Sequence, residues 1–311
     1  MNERFQILSL DGGGLKGLFS AAVLECLEQD LGSPIAEHFD LIVGTSTGGI
    51  IALALGAGLS PKDVVEFYLA KGSRIFPSPG RRWLRQLVRS KYEPDELQAA
   101  LRECLGDRLL GDSKKRLVVP AYNIDEDDIY LFKTPHHEDL RRDWSVPMWQ
   151  VALATSAAPT FLPVCRQVYY QRLIDGGVWA NNPIMLGVVE AITKLDVQRD
   201  SIRFLSLGTT DPLVGRPAAL NRGGLAQWAR SILEILMRGQ SIGAYNQAMQ
   251  LVPHGAAFRL DPRVPPGLFA LDRPSRDELR ARAAFHSRKF RPIFERRFAD
   301  HQAAEFKPLY S

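Results

Sequence analysis

The chain contains little cysteine. Only three of its 311 residues are cysteines, Cys26, Cys104 and Cys165, and no two of them form a Cys-x-x-Cys pair. Such sparse, widely spaced cysteines do not fit a disulfide scaffold and favour a reducing cytosol. Cys26 and Cys104 lie in segments with a helical pattern, where we expect buried thiols.

Long hydrophobic runs are also absent. The longest apolar stretches, such as residues 50–59, are well short of the roughly 20 residues that a transmembrane helix needs. Residues 1–5 lack the basic start and apolar core of a signal peptide. We therefore expect a cytoplasmic protein without a membrane-spanning helix.

Neither sign of charge is in large excess. The chain has 39 lysines and arginines against 35 aspartates and glutamates, a net charge of +4 at pH 7. A charge this small does not make the whole molecule a nucleic-acid binder, so we expect no DNA or RNA polymer as a partner. The hydrophobic share of 45% is ordinary for a soluble globular protein.

Strand and helix patterns alternate along the chain. This alternation predicts the α/β class, with a central, mainly parallel sheet flanked by helices in three layers. Strand patterns occupy residues 4–10, 39–43, 117–122, 128–132, 169–174, 202–207 and 257–260, and helical patterns occupy 17–31, 61–72, 94–104, 147–156, 183–195, 225–250 and 275–301. No repeat or linker divides the chain, so we expect one domain over residues 1–311.

The pentapeptide at residues 44–48, Gly-Thr-Ser-Thr-Gly, is the most informative motif. It lies between an apolar strand segment and a helical segment, which is the context of a nucleophile elbow. Gly44 and Gly48 would allow a turn sharp enough to present a serine hydroxyl. We therefore predict that Ser46 is a nucleophile, the alternative being a glycine-rich turn with an idle serine.

A glycine-rich loop at residues 11–17 joins the first strand to the first helix. Its glycines let the backbone approach a ligand and aim N–H groups at it, while the helix start adds partial positive charge. The spacing fits neither a Walker A loop nor a dinucleotide-binding fingerprint. We predict that Gly12, Gly13 and Gly14 form an oxyanion hole; Lys16 either assists with phosphate charge or is exposed.

A third motif, Asp175-Gly176-Gly177, directly follows another strand pattern. Taken alone, an aspartate in a glycine-flanked turn is often only a turn residue. Reactive groups on an open α/β sheet gather at the carboxyl ends of its strands. We therefore expect the three glycine-bearing motifs to converge.

Together the three motifs resemble those of the patatin-like phospholipases, a family that includes the cytosolic phospholipases A2. They occur in the family's order, and residues 154–161 are similar to a further family segment. The resemblance covers about residues 5–210, with a helical part at 222–311 following it. It implies a patatin-like fold and a phospholipase A type of serine acyl hydrolase. Ser46 would be the nucleophile, Asp175 its base, and the amides around Gly13 and Gly14 the oxyanion hole.

The chemistry of such a dyad sets two conditions. Ser46 would attack an ester carbonyl to give an acyl-enzyme, and Asp175 would take the serine proton and later activate water. Because a carboxylate is a weak base, burial would have to raise its pKa, and the oxyanion hole would have to supply most of the rate. The alternative is a serine–acid–histidine triad, for which His254 alone has both the right order and a loop-like setting.

No metal or cofactor is expected from the sequence. The acidic run at residues 125–128 lacks the alternating ligands and central glycine of an EF-hand, so we expect an exposed hairpin tip there. The predicted hydrolysis needs neither a metal nor a cofactor.

A basic segment with interleaved apolar residues spans residues 81–91. As a helix it could lie on an anionic bilayer, meet a phosphorylated ligand, or pack on the core. The apolar residues between Trp228 and Met237 present a similar choice, and there we expect core packing.

The chain also resembles bacterial stand-alone patatins, some of which are antiphage effectors switched on by cyclic oligonucleotides. The partners implied are a phospholipid membrane surface, bound peripherally at its inner face, and a cyclic oligonucleotide activator. A homo-oligomer is left open. The alternatives are a general carboxylesterase or lysophospholipase, and a non-catalytic lipid- or nucleotide-binding protein.

Overall fold

The structure is a computed structural model that describes residues 4–75, 90–212, 218–224, 228, 232–264 and 275–310. Its strands are β1 (Phe5–Leu10), β2 (Leu41–Gly44), β3 (Arg116–Asn123), β4 (Asp128–Lys133), β5 (Leu173–Asp175), β6 (Ile202–Leu207), β7 (Asp211–Pro212), β8 (Ala257–Leu260) and β9 (Arg263–Val264). Its α-helices are α1 (Gly17–Leu31), α2 (Thr47–Gly56), α3 (Pro61–Ile75), α4 (Asp95–Leu105), α5 (Met148–Thr155), α6 (Gly177–Ala180), α7 (Ile184–Thr193), α8 (Ile232–Leu251) and α9 (Arg276–Arg297).

One mixed, mostly parallel sheet organises the described residues. Six of its seven strands follow the order β4–β3–β2–β1–β6–β8, and the seventh, β5, also pairs with β3. The pairs along the path from β3 to β8 are parallel, whereas β4 and β5 both run antiparallel to β3. This arrangement confirms the predicted α/β class.

Alternate residues of each strand enter two hydrophobic cores, one on each face of the sheet. Leu8 and Leu10 of β1 belong to a large cluster with side chains of α1, α2, α3, α4, α5 and α9. Ile7, the residue before Leu8, faces the other side and belongs to a smaller cluster with side chains of α7 and α8. Since side chains alternate along a strand, burial on both faces produces the three layers that the sequence predicted.

A reciprocal pair of hydrogen bonds caps the start of α3. Ser60 precedes α3, and its hydroxyl oxygen accepts a hydrogen bond from the Asp63 N–H at 3.2 Å. The Asp63 carboxylate in turn accepts from the Ser60 N–H at 2.7 Å. This reciprocal pair satisfies donors that would otherwise lack partners at the helix start.

The position of β5 decides where the third motif lies. Residues 116–118 of β3 pair with β2, while residues 121–123 pair with β5 along the same edge. The short strand β5 therefore continues the line of β2 beyond Gly44. Asp175, at the end of β5, is placed beside the turn that follows β2.

Three expectations about local structure were wrong in part. The strand predicted at 169–174 begins only at Leu173, because Tyr169 and Tyr170 have φ values of 49° and 60°, which extended strands exclude. Cys26 and Cys104 are only partly buried. On α8, Ile232 and Leu236 are exposed by 40% and 61% instead of packing in the core. Of the helices in the described residues, none combines the length and the apolar character that crossing a bilayer requires.

Candidate active site

Ser46 lies at the turn between β2 and α2. Its backbone has φ 53° and ψ −121°, a combination that non-glycine residues rarely adopt. The residue is only 8% exposed, and it lines a cavity. A strained serine at a strand-to-helix turn beside a cavity is the geometry of a nucleophile elbow.

Close backbone contacts explain the two glycines of the elbow. A Cβ on Gly44 would lie 2.2 Å from the carbonyl oxygen of Gly48, and a Cβ on Gly48 would lie 2.2 Å from the carbonyl oxygen of Leu10. Both distances are far inside van der Waals contact. Only glycine lets α2 start this close to β1 and β2.

Thr155 ties the elbow to the neighbouring strand. The Ser46 N–H donates a hydrogen bond to Thr155 Oγ1 at 3.0 Å. The Thr155 hydroxyl itself donates to the carbonyl oxygen of Pro120 on β3 at 2.6 Å. Thr155 ends α5 and belongs to the segment 154–161. One residue of that segment therefore links the elbow to β3 through hydrogen bonds.

Asp175 meets Ser46 in the same cavity. Its carboxylate Oδ1 accepts the Gly177 N–H at 2.7 Å, and its own N–H donates to the carbonyl oxygen of Ala157 at 3.1 Å. The Ser46 side chain lies near the carboxylate and lowers its pKa. A Cβ on Gly176 would lie 2.3 Å from the carbonyl oxygen of Pro120, so this turn also requires glycine.

Burial makes Asp175 a stronger base than an ordinary aspartate. The residue is 5% exposed, and desolvation raises the pKa of its carboxyl group to about 6, although hydrogen bonds from Ser46 and Gly177 oppose the rise. The carboxylate is still largely ionised at pH 7. It can therefore accept a proton from a neighbouring hydroxyl at neutral pH.

The glycine-rich loop lies against the elbow. A Cβ on Gly12 would lie 3.3 Å from Ser46 Cβ, so loop and nucleophile are direct neighbours. The Gly12 N–H already donates to the carbonyl oxygen of Asn181 at 3.0 Å. Within the described residues, the N–H groups of Gly13 and Gly14 have no such acceptor. Of the three predicted amides, these two remain open to a ligand.

Ion pairs hold the start of the loop. Arg259 on β8 donates to the Asp11 carboxylate at 2.7 Å and to the Asp261 carboxylate at 2.7 Å. Lys16 is buried, with its Nζ 3.4 Å from the carbonyl oxygen of Thr210. The alternative of an exposed Lys16 is therefore wrong.

The cavity has a volume of about 120 Å³. Apart from Ser46, Asp175 and the glycine loop, its described lining is mostly apolar and includes Ile50, Phe67, Leu97, Phe161, Leu162 and Met237. No histidine occurs in that described lining, and His254 lies in the turn before β8. The structure gives the serine–acid–histidine alternative no support.

Of two other predicted features, one lies away from the cavity and the other falls mostly outside the described residues. The acidic residues 125–128 form the exposed tip of the β3–β4 hairpin, as expected. Most of the basic segment, residues 81–89, lies outside the described residues, so its role stays a prediction.

A family model covers the part of the chain that contains the elbow, the glycine loop and Asp175. The model of the patatin-like phospholipase family matches residues 8–188, more than half of the chain. The chain belongs to the patatin-like phospholipase family. This confirms the resemblance drawn from the motifs and makes the protein an enzyme that hydrolyses carboxylic esters of lipids.

Curated patatin-like relatives cover most of this chain. A cGAMP-activated phospholipase of Pseudomonas aeruginosa (strain BWHPSA011 / Pa011) is 36% identical over 282 residues, which are 87% of this chain and 83% of the relative. A cGAMP-activated phospholipase of Escherichia coli (strain TW11681) is 35% identical over 66% of this chain and 62% of its own length. Patatin-like protein 1 of Oryza sativa subsp. indica is 31% identical over 90% of this chain and 79% of the relative.

Among solved structures, VipD from Legionella pneumophila matches 94% of this patatin-like chain and 67% of its own, with a TM-score of 0.49 and 14% identity. The ExoU chain in its complex with SpcU, from Pseudomonas aeruginosa, matches 96% of this chain and 53% of its own, with a TM-score of 0.40 and 16% identity.

Sequence reasoning missed several residues of this patatin-like site. Asn181 lines the cavity, and its backbone carbonyl oxygen accepts a hydrogen bond from the Gly12 N–H. The Tyr68 hydroxyl contacts the side chain of Thr47, the residue after Ser46. These residues are distant in sequence from the motifs that they serve, or carry no motif of their own. A buried polar residue directly after a predicted active-site turn, as in Asn181-Asn182, is the one signal that could have pointed to them.

Proposed function

We propose that this patatin-like enzyme cleaves acyl esters of membrane phospholipids through a dyad of Ser46 and Asp175. One observation carries the proposal: a buried carboxylate and a strained serine line the same cavity, beside two backbone N–H groups that lack acceptors among the described residues. Nucleophile, base and oxyanion donors are the three components that acyl transfer requires.

Acylation uses each of these groups in turn. Ser46 Oγ attacks the ester carbonyl carbon while its proton passes to the Asp175 carboxylate. The carbonyl oxygen, now negatively charged, accepts hydrogen bonds from the Gly13 and Gly14 N–H groups. The lysophospholipid leaves as an alcohol by taking the proton from Asp175, and the fatty acyl group stays on Ser46.

Deacylation repeats the sequence with water as the nucleophile. Asp175 accepts a proton from the attacking water, and the second tetrahedral intermediate collapses as Ser46 Oγ leaves and recovers that proton. The products are a free fatty acid and the unmodified enzyme. No metal enters either half of this mechanism.

Apolar surface around the cavity supports a lipid as the substrate. The lining matches an acyl chain in polarity. Val178 of α6 lines the cavity and is 43% exposed, so apolar surface continues from the cavity to the outside. Helix α6 packs against α8, where Leu236 is exposed next to the cavity residue Met237. We expect this rim to contact the inner face of the membrane peripherally.

Vesicles test the proposed activity directly. Purified wild type should release fatty acid from phosphatidylethanolamine–phosphatidylglycerol vesicles, and Ser46→Ala should release none above background by mass spectrometry. Ser287→Ala is a matched control, because its buried hydroxyl on α9 lies outside the described cavity lining. Wild type that cleaves short nitrophenyl esters but no vesicle lipid would favour a general carboxylesterase. Equal activity of Ser46→Ala and wild type would refute the dyad.

We further propose that a cyclic oligonucleotide activates the enzyme in antiphage defence. The support is the cGAMP-activated phospholipase of P. aeruginosa, which is 36% identical over 87% of this chain. Fatty acid release should rise when cGAMP is added to wild type on the same vesicles, with linear dinucleotides as controls. Full activity without any nucleotide, unchanged by cGAMP and other cyclic di- and trinucleotides, would contradict this regulation.

A further inference from the structure

Asn181 has a buried acceptor that the steps above leave unused. The residue is 9% exposed and lines the active-site cavity. Its Nδ2 donates to Ser241 Oγ on α8 at 3.0 Å, which fixes the orientation of the side-chain amide. Its Oδ1 is buried and has no hydrogen-bond partner within the described structure. Buried acceptors are nearly always paired, so an unpaired one in a catalytic cavity calls for a ligand.

The oxygen lies between the glycine loop and the base. A Cβ on Gly12 would be 2.7 Å from Asn181 Oδ1 and 3.3 Å from Ser46 Cβ. A Cβ on Gly177 would be 3.5 Å from the same Oδ1 and 3.0 Å from the Asp175 carboxylate. Asn181 Oδ1 is thus a close neighbour of both Ser46 and Asp175.

We propose that Asn181 Oδ1 positions the water that hydrolyses the acyl-enzyme, an inference that rests on the Ser46–Asp175 dyad proposed above. The water donates one proton to Asp175 and directs the other at Asn181 Oδ1, which leaves a lone pair aimed at the ester carbon. The new C–O bond forms as the first proton moves to Asp175. The bond from the acyl carbon to Ser46 Oγ then breaks, and Ser46 takes up that proton.

The cavity offers this water few other acceptors. Among the described side chains that line it, Asn181 alone has a fully buried polar atom without a partner. A water attached only to Asp175 could rotate, and loss of orientation slows attack even when the groups remain close.

This role affects only one half of the reaction. Acylation consumes no water, so it does not depend on Asn181 Oδ1. For an activated ester, whose acylation is fast, removal of Oδ1 should lower kcat and KM together and leave kcat/KM unchanged. A merely structural defect would instead lower kcat/KM as well.

Pre-steady-state kinetics with a short-chain nitrophenyl ester test the proposal. Wild type and Asn181→Ala should release a first nitrophenol per active site at the same rate. The steady-state turnover of Asn181→Ala should then be lower by about ten- to a hundredfold. Mass spectrometry should show acylated Ser46 accumulating in the variant. Ser241→Ala, which leaves Oδ1 in place but frees the amide, should show a smaller deacylation defect.

Other outcomes separate the two proposals. Unchanged turnover in Asn181→Ala, or a burst slowed as much as turnover, would overturn the water-positioning role while leaving the dyad intact. The absence of any burst and of acyl-Ser46 in wild type would instead count against the dyad. If Asn181→Ala does not fold, Asn181→Ser, which has a shorter acceptor, supports the same comparison.

Discussion

At the residue scale, the decisive quantity is the pKa of one carboxyl group. An aspartate with its ordinary pKa near 4 would be a poor base for an alcohol. Desolvation raises the pKa of Asp175 to about 6, while the Ser46 and Gly177 hydrogen bonds keep it from rising further. The site thereby gains basicity without losing the ionised form at neutral pH.

Activity should follow this ionisation. With a water-soluble nitrophenyl ester, kcat/KM should rise with pH through a value near 6, with a slope of one below it, because only ionised Asp175 accepts the serine proton. The profile is measured from pH 4.5 to 8 on protein that remains folded throughout. A flat profile across pH 5–7 would exclude Asp175 as the base.

The same burial of Asp175 lowers the stability of the folded protein at neutral and higher pH. Between pH about 4 and 6 the folded protein holds a proton on Asp175 that the unfolded chain has lost, so this group's contribution to the free energy of unfolding falls as pH rises. At pH 8 the cost reaches about 3 kcal/mol. Asp175→Asn, which keeps the size and removes the charge, should therefore be more stable than wild type.

Unfolding in urea at two pH values checks this. The stability gained by Asp175→Asn should be about twice as large at pH 8 as at pH 5, since half of the cost has already appeared at pH 5. Activity should be lost at both. A gain of the same size at both pH values would mean that the carboxyl group is not desolvated in solution.

At the element scale, the contact between α2 and β1 depends on a glycine that has no room for a side chain. Gly48→Ala would place a methyl group 2.2 Å from the carbonyl oxygen of Leu10, and neither backbone can move without shifting the elbow. We expect a loss of several kcal/mol in stability, or no folded protein. Gly243→Ala on α8 is the matched control, since its Cβ would meet open space.

The two substitutions should change the free energy of unfolding in opposite directions. Gly243→Ala should retain full activity and raise the free energy of unfolding by up to about 1 kcal/mol, because alanine favours helix more than glycine does. Thermal unfolding and ester hydrolysis of both proteins provide the comparison. Similar behaviour of the two variants would show that α2 and β1 are less closely packed than described.

Some strands and site residues could be predicted from the sequence, and others could not. The bounds of β6 and β8 agree with their predicted strands, because apolar runs bounded by turn residues leave little choice. The start of β5 was missed because Tyr169 and Tyr170, which favour strands, adopt positive φ in a turn. The convergence of Ser46 and Asp175 on one cavity could be predicted because each lies in a short motif that follows a strand. Asn181 could not, since its significance depends on contacts with Gly12 and Ser241 that are remote in sequence.

At the scale of the whole molecule, the apolar surface around the cavity determines how the enzyme meets lipid. The exposed Leu236 on α8 lies next to Met237, which lines the cavity. Leu236→Ser should lower fatty acid release from vesicles by about tenfold, since a leucine buried in lipid contributes roughly 1.5–3 kcal/mol. Hydrolysis of a water-soluble ester should not change.

An exposed isoleucine elsewhere provides the control. Ile129 lies on the β3–β4 hairpin, is 47% exposed, and is not part of the cavity lining. Ile129→Ser should alter neither vesicle nor ester hydrolysis. Equal losses in the two variants on vesicles would indicate general surface adhesion rather than docking through the α6–α8 rim.

Asp175 is held in place by a short strand, β5. This strand has three residues, and it pairs with β3 through Ala121–Asn123. A slip of a single position along that ladder would turn every side chain of β5 to the opposite side, because side chains alternate with a period of two. Asp175 would then point away from Ser46 while the other strands kept their pairing. The position of the proposed base relative to Ser46 therefore depends on a ladder of only three residue pairs.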